Sequence, residues 1–229
     1  MVQVNETKRF LRFKFIKQGS LQYISHLDLV RTMHKVIVRA KLPLWYTEGF
    51  NPKPKMIFAA PLSIGTESEC EFMDIRMNEY IEPAEAMARL NANMTSEMQI
   101  CEAYYPESKF TDLKWMTYRI TVNSPCDIDG MVELCNGVFS SDKIEVEKKN
   151  SDKLIDIKPL IRSAVAEKVG DSIVISATLS ADPSSFLNPE YVIKALRDKC
   201  GLLSSEDLMS ESYEIMRIGA YFGDMTEFR

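Results

Sequence analysis

The chain has 229 residues, is 45% hydrophobic and carries a formal net charge of -5, which is enough apolar material to bury one large core or two cores of about 100 residues each. No stretch approaches the roughly 18 unbroken apolar residues that span a bilayer, and the start MVQVNETKRFLRF places charges before any apolar run, which argues against secretion and membrane insertion. Five cysteines without a CxxC pair and only two histidines argue against a disulfide framework and a zinc site, and fit a reducing cytoplasm.

The charge is unevenly distributed. Residues 1–60 hold eleven Lys or Arg against three acids, a local charge of +8 from Lys8 to Lys55, whereas residues 61–118 hold four against eleven. Local field recruits an anionic partner, so a basic segment can act within an acidic chain.

Residues 9–17 alternate apolar and basic side chains, which predicts a half-buried strand with Phe13 and Phe15 inward and Arg12 and Lys14 on the polar face. From Ser25, the apolar positions Leu29, Val30, Met33, Val36, Ile37 and Ala40 follow a helical period until Pro43 stops it. The Pro-rich loop 49–55 leads to strands at 56–64 and 70–77, a helix over 82–94 and a strand at 98–105. This βαββαβ order is that of a ferredoxin-like unit. On the second strand, Glu67, Glu69 and Glu71 are expected to form a solvent face.

The second half repeats the theme. Strands are expected at 115–122, 143–149, 154–158, 160–168, 172–180 and 212–222, with helices at 127–139 and 190–199, the latter stopped by Gly201. The expectation is an α+β protein of two tandem ferredoxin-like units, 1–108 and 109–229, the second with an extra β-hairpin.

Three groups of residues carry candidate chemistry. Ser25 and Asp28 have capping-box spacing, so the helix start explains them. His26, at the first helical position, could serve as an acid or base or donate to a phosphate; His34, in mid-helix, reads as a packing residue. Arg31, Lys35 and Arg39 are spaced by four and share one helix stripe. In the loop YTEGFNPKPK, Tyr46 and Phe50 offer rings for base stacking while Asn51, Lys53 and Lys55 offer polar contacts to phosphates; the same rings could instead cover the core. No Walker spacing, nucleophile elbow or RNA-recognition aromatic signature is present in the sequence.

The motifs SHLDL (25–29), EGFNPKPK (48–55) and PLSIGTESE (61–69), with the weaker IDIKP (155–159) and NPEYVIKAL (188–196), resemble a radical-SAM-linked family of uncharacterised bacterial domains, found alone or C-terminal to radical SAM proteins. The resemblance implies a bacterial cytoplasmic protein that cooperates with a radical SAM enzyme. With the charge pattern, it leads to a non-catalytic accessory domain that contacts RNA through His26, Arg31, Lys35, Arg39, Tyr46, Phe50, Asn51, Lys53 and Lys55, with no metal and no cofactor. Two alternatives stay open: a metal-independent ribonuclease-like enzyme using His26, and a pure protein-interaction module.

Overall fold

The structure, a computed structural model, describes residues 10–148, 153–205, 207 and 209–229. Lys8 and Arg9, at the head of the basic segment, and the end of the strand expected over 143–149 lie outside the described residues. The chain is a mixed α+β protein with a mostly antiparallel sheet, and its described residues include four α-helices. Its contacts divide it into Met1–Phe110 with Arg229, and Thr111–Phe228. Among the described residues, no helix is long and apolar enough to cross a membrane.

The first unit contains β1 (Phe10–Lys17), α1 (His26–Arg39), β2 (Met56–Phe58), β3 (Thr66–Arg76), α2 (Pro83–Asn91) and β4 (Ile100–Tyr104). β1 is central: β4 lies along one edge and β3 along the other, and β2 adds to the far edge of β3 opposite Met73–Ile75. Leu11, Phe13 and Phe15 of β1 meet Leu29, Met33, Val36 and Ile37 of α1 and Ala86 and Leu90 of α2 in one buried cluster. Burying each large side chain contributes roughly 1.5–3 kcal/mol, so the spacing of these positions along α1 fixes which face turns inward.

The polar face of β1 differs from expectation. Arg12 is fully buried and forks onto Asp74, with Nε 2.8 Å from Oδ1 and Nη2 2.9 Å from Oδ2. The Phe110 ring lies under its guanidinium at 4.4 Å. Lys14 donates to Glu102 at 3.0 Å, and Lys17, 2% exposed, donates to the carbonyls of Gln22 and Thr66. The cause is register: Asp74 and Glu102 stand directly across the ladder from Arg12 and Lys14, so cross-strand charge pairing absorbs the cations that alternation alone would leave in water. Glu71 departs in the same way, being buried within β3 rather than on a solvent face. β2 also ends at Phe58 rather than running to Ile64, since Pro61 has no N–H to continue a ladder; β3 correspondingly starts early, at Thr66, after Gly65 takes a left-handed φ of 83°.

The second unit contains β5 (Trp115–Asn123), α3 (Ile128–Ser140), β6 (Glu145–Glu147), β7 (Leu154–Asp156), β8 (Ile161–Val169), β9 (Ser172–Ser180), α4 (Glu190–Cys200) and β10 (Ser212–Tyr221). Its main strands lie in the order β10-β5-β9-β8, while β6 and β7 pair as a separate hairpin. Gly201 closes α4 in the left-handed conformation, with φ 75°.

Candidate functional site

α1 begins where its sequence says it should. Ser25 caps it by accepting from the Asp28 amide at 3.1 Å, and the Ser25 hydroxyl donates back to the Asp28 carboxylate at 2.7 Å. That hydroxyl, with Arg31 beside it at 3.3 Å, holds the Asp28 carboxyl below its ordinary value. The His26 imidazole is exposed and meets the Phe58 ring edge-on, with centroids 5.4 Å apart. Asp28 is thus engaged by Ser25 and Arg31, and the His-Leu-Asp sequence builds a helix start with an aromatic contact.

With Leu29, Met33, Val36 and Ile37 turned inward, Arg31, Lys35 and Arg39 are all exposed. Four-residue spacing places them in steps of about 6 Å along the axis. Among the described residues, Lys35 and Arg39 form no ion pair, and Arg31 pairs only with Asp28 across an exposed surface, where solvent screens the attraction. The same outward face carries Leu27 and Val38, 56% and 53% exposed. These two were missed in the sequence; their positions four before and seven after Arg31 put them on its side of the helix.

The Pro-rich loop is a protruding hairpin. Tyr46 bridges to Pro54, bracketed by hydrogen bonds from the Thr47 amide to the Lys53 carbonyl at 2.9 Å and from the Lys55 amide to the Trp45 carbonyl at 3.4 Å. The amide of Lys53 also donates to Thr47 Oγ1 at 3.1 Å. Its base is tied to the end of β3 by reciprocal bonds: Arg76 donates to the Lys55 carbonyl, Trp45 donates to the Arg76 carbonyl, both at 3.0 Å, and the Arg76 guanidinium lies 4.2 Å over the Trp45 ring. At the tip Gly49 has φ 125°, and the next side chain, Phe50, is wholly exposed. Tyr46 is 43% exposed, and Asn51, Lys53 and Lys55 are exposed.

Burial, and then the charge of Lys53, lower the His34 pKa. Lys55 lies over the Phe10 ring at 5.6 Å, and His26 sits at the N-terminal end of the helix, about 12 Å along the axis from His34. Among the described residues, no group of three or more His, Cys, Asp or Glu side chains is arranged to hold a metal ion.

A mostly antiparallel α+β chain with a cationic helix face and an aromatic-tipped hairpin is the class so defined. The chain belongs to the family described as an uncharacterized protein conserved in bacteria (DUF2344), whose model matches residues 11–189. No curated protein matches it. Among solved structures it is similar in fold to a chain of a Cbf5-Nop10-Gar1 complex, with TM-score 0.53 and 10% identity over 97% of this chain and 51% of that one; the chain thus spans about half the length of that neighbour. A second structure, of an unknown protein from Galdieria sulphuraria, aligns at TM-score 0.26 and 11% identity over 91% of this chain and 98% of that one.

Proposed function

We propose that this chain is a non-catalytic RNA-binding accessory module of the bacterial cytoplasm, built of two ferredoxin-like units and working beside a radical SAM protein. The observation that supports the RNA reading is the exposed stripe of Arg31, Lys35 and Arg39 on α1, together with the wholly exposed Phe50 and the exposed Lys53 of the Pro-rich hairpin. Phosphates are met by Arg31, Lys35, Arg39, Lys53 and Lys55, and an unpaired base stacks on Phe50. Support for the ferredoxin-like assignment is topological: taking the four main strands of each unit in chain order, both follow fourth-first-third-second, β4-β1-β3-β2 and β10-β5-β9-β8. The radical SAM partner rests on the sequence motifs, and exposed Leu27 and Val38 favour a protein contact on the same helix face.

The test is binding of a labelled stem-loop RNA by anisotropy across salt. Five phosphate contacts at about 0.7 counterion each give a slope near -3.5 in log K against log salt, or about a hundredfold loss from 50 to 200 mM. Phe50→Ala is expected to weaken binding about tenfold, since one stacked base is worth about 1–3 kcal/mol. His26→Ala is expected to leave the RNA uncleaved, as the parent does. Binding that is absent at low salt, or flat across salt, defeats the RNA reading. Cleavage by the parent that His26→Ala abolishes establishes the ribonuclease in its place.

A further inference from the structure

The second unit holds a thiol pair that the RNA reading does not use. Cys135 of α3 and Cys200 at the end of α4 are 65 positions apart in sequence, yet their sulfurs are 3.9 Å apart. Cys135 is fully buried, whereas Cys200 is partly exposed. Cys200 also lines a cleft of about 450 Å³ with Leu134, Ser141, Lys143 and Lys199. Cys200, whose thiol donates to the Leu196 carbonyl at 3.0 Å, is thus the member of the pair that borders the cleft, whereas Cys135 is closed off from solvent. Two free thiols in van der Waals contact on separate helices need only side-chain rotation and a small approach of the helices to reach the roughly 2.05 Å of a disulfide.

We propose that Cys135 and Cys200 are a dithiol modification site that a low-molecular-weight disulfide of the glutathione type converts to an intramolecular disulfide, clamping α3 to α4. The Cys200 thiolate attacks one sulfur of the small disulfide; a Cys200 mixed disulfide forms and one small thiolate leaves, taking up the Cys200 proton. Cys135 then attacks the Cys200 sulfur, the second small thiol leaves with the Cys135 proton, and the protein bridge is complete. Two protein thiols are oxidised by two electrons, and one small disulfide is reduced to two thiols. Lys199 in the cleft complements the carboxylates of such a reagent. Burial above all, then the neighbouring Cys200, push the Cys135 thiol up to about 12, so Cys200 is the entry point and the closing step quickens as pH rises.

The test treats the full chain with oxidised glutathione and maps peptides without reduction, beside Cys126→Ser, Cys135→Ala and Cys200→Ser. The parent and Cys126→Ser are expected to yield the Cys135–Cys200 peptide, and the parent to melt about 5 °C or more higher than its reduced form, reversibly with dithiothreitol. Cys135→Ala is expected to stop at glutathione on Cys200, and Cys200→Ser to take up nothing at Cys135. Stable glutathione on Cys200 of the parent without the bridge, a bridge from Cys126, or a melting point lowered by oxidation overturns the proposal. Should Cys135→Ala fail to fold, the parent's peptide map still decides.

Discussion

Removing the side-chain amide of Asn91 tests how the outer strand of the first unit is closed. Asn91, the last residue of α2, accepts from the Ile100 amide at 2.7 Å and donates to the Ile100 carbonyl at 3.0 Å. The second unit repeats the device: Asn136 of α3 accepts from the Ala166 amide and donates to its carbonyl, both at 2.9 Å. Ile100 and Ala166 are 3% and 2% exposed, and each lies on the outermost strand of its unit's order, β4 and β8. Such edges offer unpaired backbone groups to other chains, and here one amide covers both groups of a residue. Asn91→Ala strips a buried donor and a buried acceptor, each costing about 1–3 kcal/mol when unsatisfied. Water entry at the edge and the better helix propensity of Ala offset part of this, leaving a net loss of about 2 kcal/mol. Asn136→Ala should cost about the same and, sharing no partner with Asn91, should add to it. Asn91→Asp should be worse than Asn91→Ala at neutral pH, since its carboxylate faces the Ile100 carbonyl without a proton to donate. Urea unfolding at constant slope gives the stabilities, and amide exchange at Ile100 and Ala166 gives the local opening. A change below about 0.5 kcal/mol with unaltered exchange at Ile100 would refute the reasoning.

Two further perturbations probe the first unit. Arg12→Met leaves the Asp74 carboxylate buried without its partner; burial already raises the Asp74 pKa against the pull of Arg12, so a loss of about 3–5 kcal/mol is expected, most of it recovered in Arg12→Met/Asp74→Leu, and equal stability of single and double variants in urea would count against it. Ser25→Ala removes the cap and should cost about 1 kcal/mol; because the Ser25 hydroxyl holds the folded-state Asp28 pKa below its unfolded value, the Asp28 contribution is present above the ordinary carboxylate range and lost as pH falls through the lowered folded value. The variant should move the Asp28 titration upward toward its ordinary value in a carboxyl NMR experiment, and an unmoved titration would mean that Arg31 alone sets it.

Local pattern was legible in the sequence wherever the cause is local. The period of Leu29, Met33, Val36 and Ile37, the Ser25 cap and the Gly201 stop each lie within a few residues of what they determine, and each stands as expected. What escaped reading depends on partners remote in the chain: Asp74 lies 62 positions from Arg12, and Cys200 lies 65 from Cys135. Asn91 and Ile100 are only nine apart, but nothing in an asparagine's position says that its amide will meet a strand edge.

The basic segment shows what this distinction means for function. Alternation and charge counting treat its cations alike, but strand register divides them. Arg12 and Lys14 face carboxylates across the ladder, and Lys17 is turned onto carbonyls, so three positive charges are consumed by the fold and contribute little field outside it. A helix has no ladder partner to set against its outer face. Lys35 and Arg39 therefore keep their charge in solvent, and Arg31 shares its own only with an exposed acid. Lys53 is exposed for a different reason, because it stands on a proline- and glycine-shaped hairpin. The sequence overstates the basic surface of β1, and on α1 it leaves out the apolar area that Leu27 and Val38 add among the cations. Under the proposed reading the two kinds of surface divide the work, the cations of α1 meeting phosphates and the apolar Leu27 and Val38 meeting a protein.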